Sequence, residues 1–237
     1  MITLYELNSA TSEATSEAIR KTIKGGLIAS MTMLLIIFIA LIVFWIYKKR
    51  KNRSLGRGSD FENEVARRIE NWSAKQNFFF FGPSIYKYEK NMFEVDGLLL
   101  SSRGLIVIEV KSRNGDIEGD YELATWWKIN GPSRYEQPNH LRQNDKHIAH
   151  FKKILGDKID MYSFLIYEDF NNQINIKNVP DWAVVFKENE FEEKMTYFKE
   201  AVFEKYSEKE IAEIYEKIKK SSTNSVKDRL KFNSYFK

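Results

Sequence analysis

Two stretches of this 237-residue chain could bring carboxylates and a lysine together: FEVDGLLL (93–100) and GLIVIEVK (104–111). They read as the arms of a β-hairpin around Ser101, Ser102, Arg103 and Gly104, with Gly104 able to take the positive φ of the turn. If Leu100 pairs with Leu105, the antiparallel register sets Asp96 opposite Glu109 and Glu94 opposite Lys111, all on one face. Directly opposed side chains have Cβ atoms about 5 Å apart, so two carboxylates there repel unless something compensates. A divalent cation would do so, since Mg²⁺ takes one or two carboxylates plus waters and phosphate oxygens. Lys111 could orient a water or stabilise charge developing on a phosphate. The plainer alternative is a solvated strand whose Glu94 and Lys111 form an exposed pair worth little. Against it, LIVIEV is apolar on both faces, the pattern of a buried central strand, so Glu109 and Lys111 project from its end.

Several elements must hold that hairpin. Phe61, Val65 and Ile69 fall at helical spacing in SDFENEVARRIENW, and Ser59 with Glu62 makes an S-x-x-E capping box. HLRQNDKHIAHFKKIL reads as a helix carrying Gln143, His147 and His150. The two histidines stand three apart with no third ligand or carboxylate partner evident, so they read as surface or partly buried residues. MYSFLIYE and VPDWAVVF read as further core strands joined by a polar connection, EDFNNQINIKN. Two charged helices with apolar faces follow from about 191. The tail from Ser221 has weak periodicity, which suits disorder or a loosely docked terminus. Trp126 and Trp127 could stack on bases, but one ring of an adjacent pair usually enters the core.

Composition narrows the chemistry. With no cysteine there is no thiol nucleophile or Cys-ligated zinc, and with three histidines any metal would need oxygen ligands. The absence of a P-loop, a Gly-rich dinucleotide motif or G-x-S-x-G leaves nucleotide hydrolysis and serine esterase chemistry without support. The uncharged run 26–47 has the length and apolarity of one transmembrane helix, with Trp45 and Tyr47 as an interfacial anchor. Six basic residues and no acid follow in 48–57, while three acids balance three bases before the span. The positive-inside bias then sets a short N-terminus (1–25) outside and the rest in the cytoplasm at the plasma membrane. The same distribution leaves 58–237 two units acidic out of a formal +4, so the basic pI of 8.9 reflects the juxtamembrane cluster.

From Gly58 to about Leu155 the sequence resembles the nuclease-related domain, NERD, a branch of the restriction-endonuclease-like PD-(D/E)XK superfamily. GSDFENEVA resembles its first helix, with Glu62 as the acidic residue, and FEVDGLLLSSRGLIVIEVKS the hairpin with Asp96, Glu109 and Lys111. NGDIEGD and the tryptophan after it resemble the following strand, and NHLRQ the Asn-Pro-x-x-Gln segment, giving Asn139 and Gln143. His140 stands where the family usually has Pro, and Val95 where it has Ile. The resemblance implies an α/β fold with a central mixed sheet flanked by helices, a NERD domain over 58–190, and C-terminal helices and tail over 191–237. It implies a metal-dependent nuclease, with DNA favoured over RNA. Asp96 and Glu109 would hold Mg²⁺ or Mn²⁺ with Glu62 in support, Lys111 would position water, and Gln143 would contact substrate or the surroundings of the site. Glu94 is read as peripheral. The competing class is a membrane-tethered scaffold that binds nucleic acid or protein without cleaving it.

Overall fold

The computed structural model describes residue 33 and residues 36–45, 58–223 and 225–234, and the chain divides into two compact units, Met1–Gly56 and Arg57–Lys237. In the first unit residues 36–45 are helical and their apolar side chains are exposed. No helix among the described residues is long and apolar enough to cross a membrane, so the expected span finds no support there. Much of 26–47, and all of 1–25 and of the basic segment up to Arg57, lie outside the described residues.

The second unit is a mixed α/β fold with three sheets rather than the single central one expected. Strands β1 (Phe79–Phe81), β4 (Gly97–Ser101), β5 (Gly104–Lys111), β9 (Met161–Tyr167) and β11 (Ala183–Lys187) form a five-stranded sheet in the order β1-β4-β5-β9-β11. Of these, β5, β9 and β11 run parallel and the others antiparallel. A three-stranded sheet joins β12 (Ser222–Thr223), β2 (Ser84–Tyr88) and β3 (Asn91–Val95). A four-stranded sheet orders β10 (Ile174–Lys177), β6 (Asp116–Asp120), β7 (Thr125–Asn130) and β8 (Ser133–Pro138). The segment expected to be only a polar connection supplies β10, because Ile174 and Ile176 alternate and pack on a third core with Trp126 and Tyr167.

Strand β5 is buried on both faces, as its apolar run requires. Leu105 and Val107 face a core shared with Ile148, Phe151 and Leu155 of α2 (His140–Leu155). Ile106, Ile108 and Val110 face Phe61, Val65 and Ile69 of α1 (58–73). The helix α1 is already formed at Gly58, so Ser59 lies inside it rather than at the cap its spacing with Glu62 suggested. Helices α3 (Phe191–Ala201) and α4 (Glu208–Ser221) bury Phe191, Met195 and Phe198 in one core and Ile211, Ile214 and Ile218 in the other.

The hairpin register matches the expectation where strands β4 and β5 pair, from Gly97 opposite Ile108 to Ser101 opposite Gly104. Gly104 has φ +136°, and a Cβ there would lie 2.7 Å from the Asp160 carbonyl oxygen, so glycine is required. The upstream arm departs from the expectation. It breaks at Asp96, and β3 leaves the sheet to pair with β2, which sets Glu94 opposite Ile85 rather than Lys111. Phe93 drives the departure by packing against Tyr86 and Phe151.

Helix α2 is fixed over β5 and β9 at two points. Asn139 accepts from the Arg142 N–H at 3.0 Å and donates to the carbonyls of Leu123 at 2.7 Å and Tyr121 at 3.0 Å. Fully buried Asn144 donates to the Val107 carbonyl at 2.9 Å and the Ser163 hydroxyl at 2.8 Å. Among the described residues after Ser221, β12 pairs with β2 and α5 (Val226–Ser234) follows. We expect Asn139→Ala to destabilise the fold by about 1–3 kcal/mol in urea unfolding, since it removes a cap and the bonds donated to the Leu123 and Tyr121 carbonyls. Asn139→Asp should recover only the capping part, and a fully stable Asp variant would show that the donated bonds contribute nothing.

Candidate active site

Glu62, Asp96, Glu109, Lys111 and Gln143 come from α1, the β3–β4 break, the end of β5, and α2, and all line one cleft of about 630 Å³. Odd-numbered residues of β5 face α2, which puts Glu109 and Lys111 on the side of Gln143. Glu109 is 2% exposed. Its Oε1 is in close ionic contact with the Lys111 ammonium, and its Oε2 lies 3.5 Å from Nε2 of His147. Burial alone would raise the Glu109 pKa, but His147 and Lys111 outweigh it and hold the carboxyl below its ordinary value.

Asp96 sits one residue before β4, and its Oδ2 accepts from the Val110 N–H at 2.7 Å. The carboxylate thus takes the N–H that the broken strand no longer reaches. Burial first, then the charge of Glu109, pushes the Asp96 pKa well above the usual carboxylate range, against the opposing pull of Lys111 and the Val110 bond. Glu62 is half-buried, and desolvation, tempered by Lys111 and reinforced by Glu109 and Glu94, raises its pKa as well. Glu94 is exposed but lines the same cleft, closer to the site than its peripheral reading implied.

Gln143 is half-buried and faces the cleft, one helical turn before His147. His147 is the residue that sequence reasoning passed over: the carboxylate partner it lacked is Glu109. Beyond that contact neither ring nitrogen has a hydrogen-bond partner among the described residues, and the ring stacks on Phe93 at 6.0 Å. The i, i+4 spacing from Gln143 was the available signal, because it sets both on one face of α2. His150 Nδ1 meets the Tyr88 hydroxyl at 2.9 Å. Trp126 is fully buried and donates to the Asp120 carbonyl at 2.9 Å, while Trp127 lies on the surface beneath Arg134. His140, in place of the family's Pro, is 2% exposed and packs edge-on against Trp126. Burial, with Lys111 and Arg113 nearby, drops its pKa to about 3, so the ring is neutral.

A helix, a hairpin with Asp and Glu-x-Lys, short strands and then a helix carrying Gln follow one another along the chain and converge on one cleft. Residues 57–170 match the nuclease-related domain family, NERD. The NERD match covers slightly less than half of the chain and contains every cleft carboxylate, Lys111 and Gln143. It supports a nuclease-like function and binding to nucleic acid. No curated protein and no solved structure matches the chain.

The donor set of the cleft suits a hard cation: oxygen ligands, crowded carboxylates and one Asp96 oxygen not taken by Val110. As the side chains stand, no three His, Asp or Glu among the described residues are grouped to hold one ion. The raised pKa of Asp96 has a measurable consequence for the metal-free protein. Between the unfolded value of about 4 and the higher folded one, the folded chain binds more protons, so stability falls as pH rises through that window. Asp96→Asn removes the charge and keeps an acceptor for Val110. In EDTA it should melt above wild type at pH 7 by about 2–4 °C per kcal/mol relieved, with the gap closing toward pH 3. A gap that does not change with pH would show that the carboxylate is not under this strain.

Proposed function

We propose that the chain is a metal-dependent nuclease that hydrolyses phosphodiester bonds of nucleic acid, DNA in preference to RNA, and that residues 26–47 anchor it in the plasma membrane with the domain in the cytoplasm. The observation that carries the reading is the meeting of Glu62, Asp96, Glu109, Lys111 and Gln143, far apart in sequence, in a single cleft. The anchoring rests on the apolar run and on the basic residues after it.

Asp96 and Glu109 would hold Mg²⁺ or Mn²⁺, with Glu62 at the margin. A bound ion of this kind lowers the pKa of water and neutralises charge on a phosphate. Lys111 holds its ammonium in the cleft beside Glu109, where it can orient a water and stabilise charge on the scissile phosphate. Glu109, kept ionised by Lys111 and His147, offers a permanent negative charge, and Val110 fixes the direction of Asp96. Gln143, a neutral donor and acceptor on the cleft wall, can hold a phosphate or sugar oxygen without adding charge.

The second reading, a tethered binding module without catalysis, draws on the lack of a ready three-ligand group and on the acidic balance of the domain. The deciding experiment incubates the purified full chain in detergent with single- and double-stranded DNA and RNA, in Mg²⁺, Mn²⁺ or EDTA. We expect metal-dependent cleavage that Glu109→Gln and Lys111→Ala each lower by about 100-fold or more. Cleavage that survives both substitutions or EDTA would refute the site, and binding without cleavage would favour the module.

A further inference from the structure

The last described segment of the chain returns to the candidate cleft. Phe232 of α5 lines it together with Pro83, Met92 and Phe93, and is 9% exposed. β12 contributes two residues of pairing, to Tyr86 and Ile85 of β2. Val226 and Leu230 of α5 point into solvent at 74% and 66% exposure, so Phe232 is the large apolar side chain this helix buries. Its polar anchor is Asp228, whose Oδ2 meets the Lys87 ammonium at 2.6 Å and the Thr223 hydroxyl at 2.8 Å.

We propose that β12 and α5 form a strap that closes one side of the cleft with Phe232, and that the strap must shift for a nucleic-acid strand to reach Asp96, Glu109 and Lys111. This rests on reading the cleft as a nucleic-acid site. Among the described residues, a two-residue pairing, the Phe232 ring on the cleft wall and the Lys87–Asp228 pair are contacts that can be released locally while the sheets and helices stay folded. The strap therefore sets access: it admits a strand only when Phe232 vacates the wall it shares with Met92 and Phe93.

The Lys87–Asp228 pair gives a test that separates release from simple charge effects. In the full chain, Lys87→Glu and Asp228→Lys each break the anchor while changing net charge in opposite directions. Both should raise the initial cleavage rate and the affinity for a fluorescein-labelled oligonucleotide about two- to fivefold. The double swap, which restores the pair, should return to wild type, and Phe232→Ala should match the single variants. Affinity is read by anisotropy in EDTA, independently of cleavage. If all chains bind, none cleaves and affinity follows the swap, the nuclease reading fails while the strap stands. If rate and affinity are equal in every chain, or the two single variants move in opposite directions, the strap is overturned.

Discussion

The architecture is organised around one carboxylate buried where a carboxylate is expensive. Glu109 ends a strand whose preceding residues are apolar on both faces, and it is almost fully removed from water. An isolated ionised carboxyl in such a place would be untenable, so each of its oxygens faces a basic group: Lys111 from its own strand and His147 from α2. The His147 partner exists only if α2 lies across β5 at the right height. That height is set by Asn144, which joins α2 to the Val107 carbonyl and the Ser163 hydroxyl, and by Asn139, which ties the start of the helix to the loop before β7. The polar framework of α2 thus serves the charge balance of the cleft as much as the packing of the core.

The same constraint explains the break at Asp96. A continuous arm from Met92 to Ser101 would have set Asp96 on the ladder opposite Glu109, two buried carboxylates face to face. By leaving the sheet, β3 turns that rung into a side-chain contact: Asp96 accepts the Val110 N–H, and the two carboxylates remain neighbours without being rung partners. The departing strand also supplies Phe93, whose ring packs on both His147 and His150 and so forms the aromatic side of the cleft.

Much of this was readable in the chain itself. The apolar run of β5, the Gly104 turn and the helical spacing of Phe61, Val65 and Ile69 are local signals, and the folded chain obeys them. What escaped was decided by partners remote in sequence. The break at Asp96 depends on Phe93 finding Tyr86 and Phe151, and β10 depends on Ile174 and Ile176 meeting the core beneath Trp126. His147 looked unremarkable because its carboxylate lies 38 residues upstream on another element. The tail was opaque for the same reason: α5 has weak apolar periodicity of its own, and its contacts with Lys87 and the cleft wall are remote in sequence.

The two residues of β12 have a consequence that concerns the sheet rather than the cleft. In the three-stranded sheet they pair, among the described residues, with the outer side of β2 at Ile85 and Tyr86. An uncovered strand border of this kind is a template for pairing with another polypeptide. Every departure of the segment from its seat therefore opens a sticky border as well as a groove.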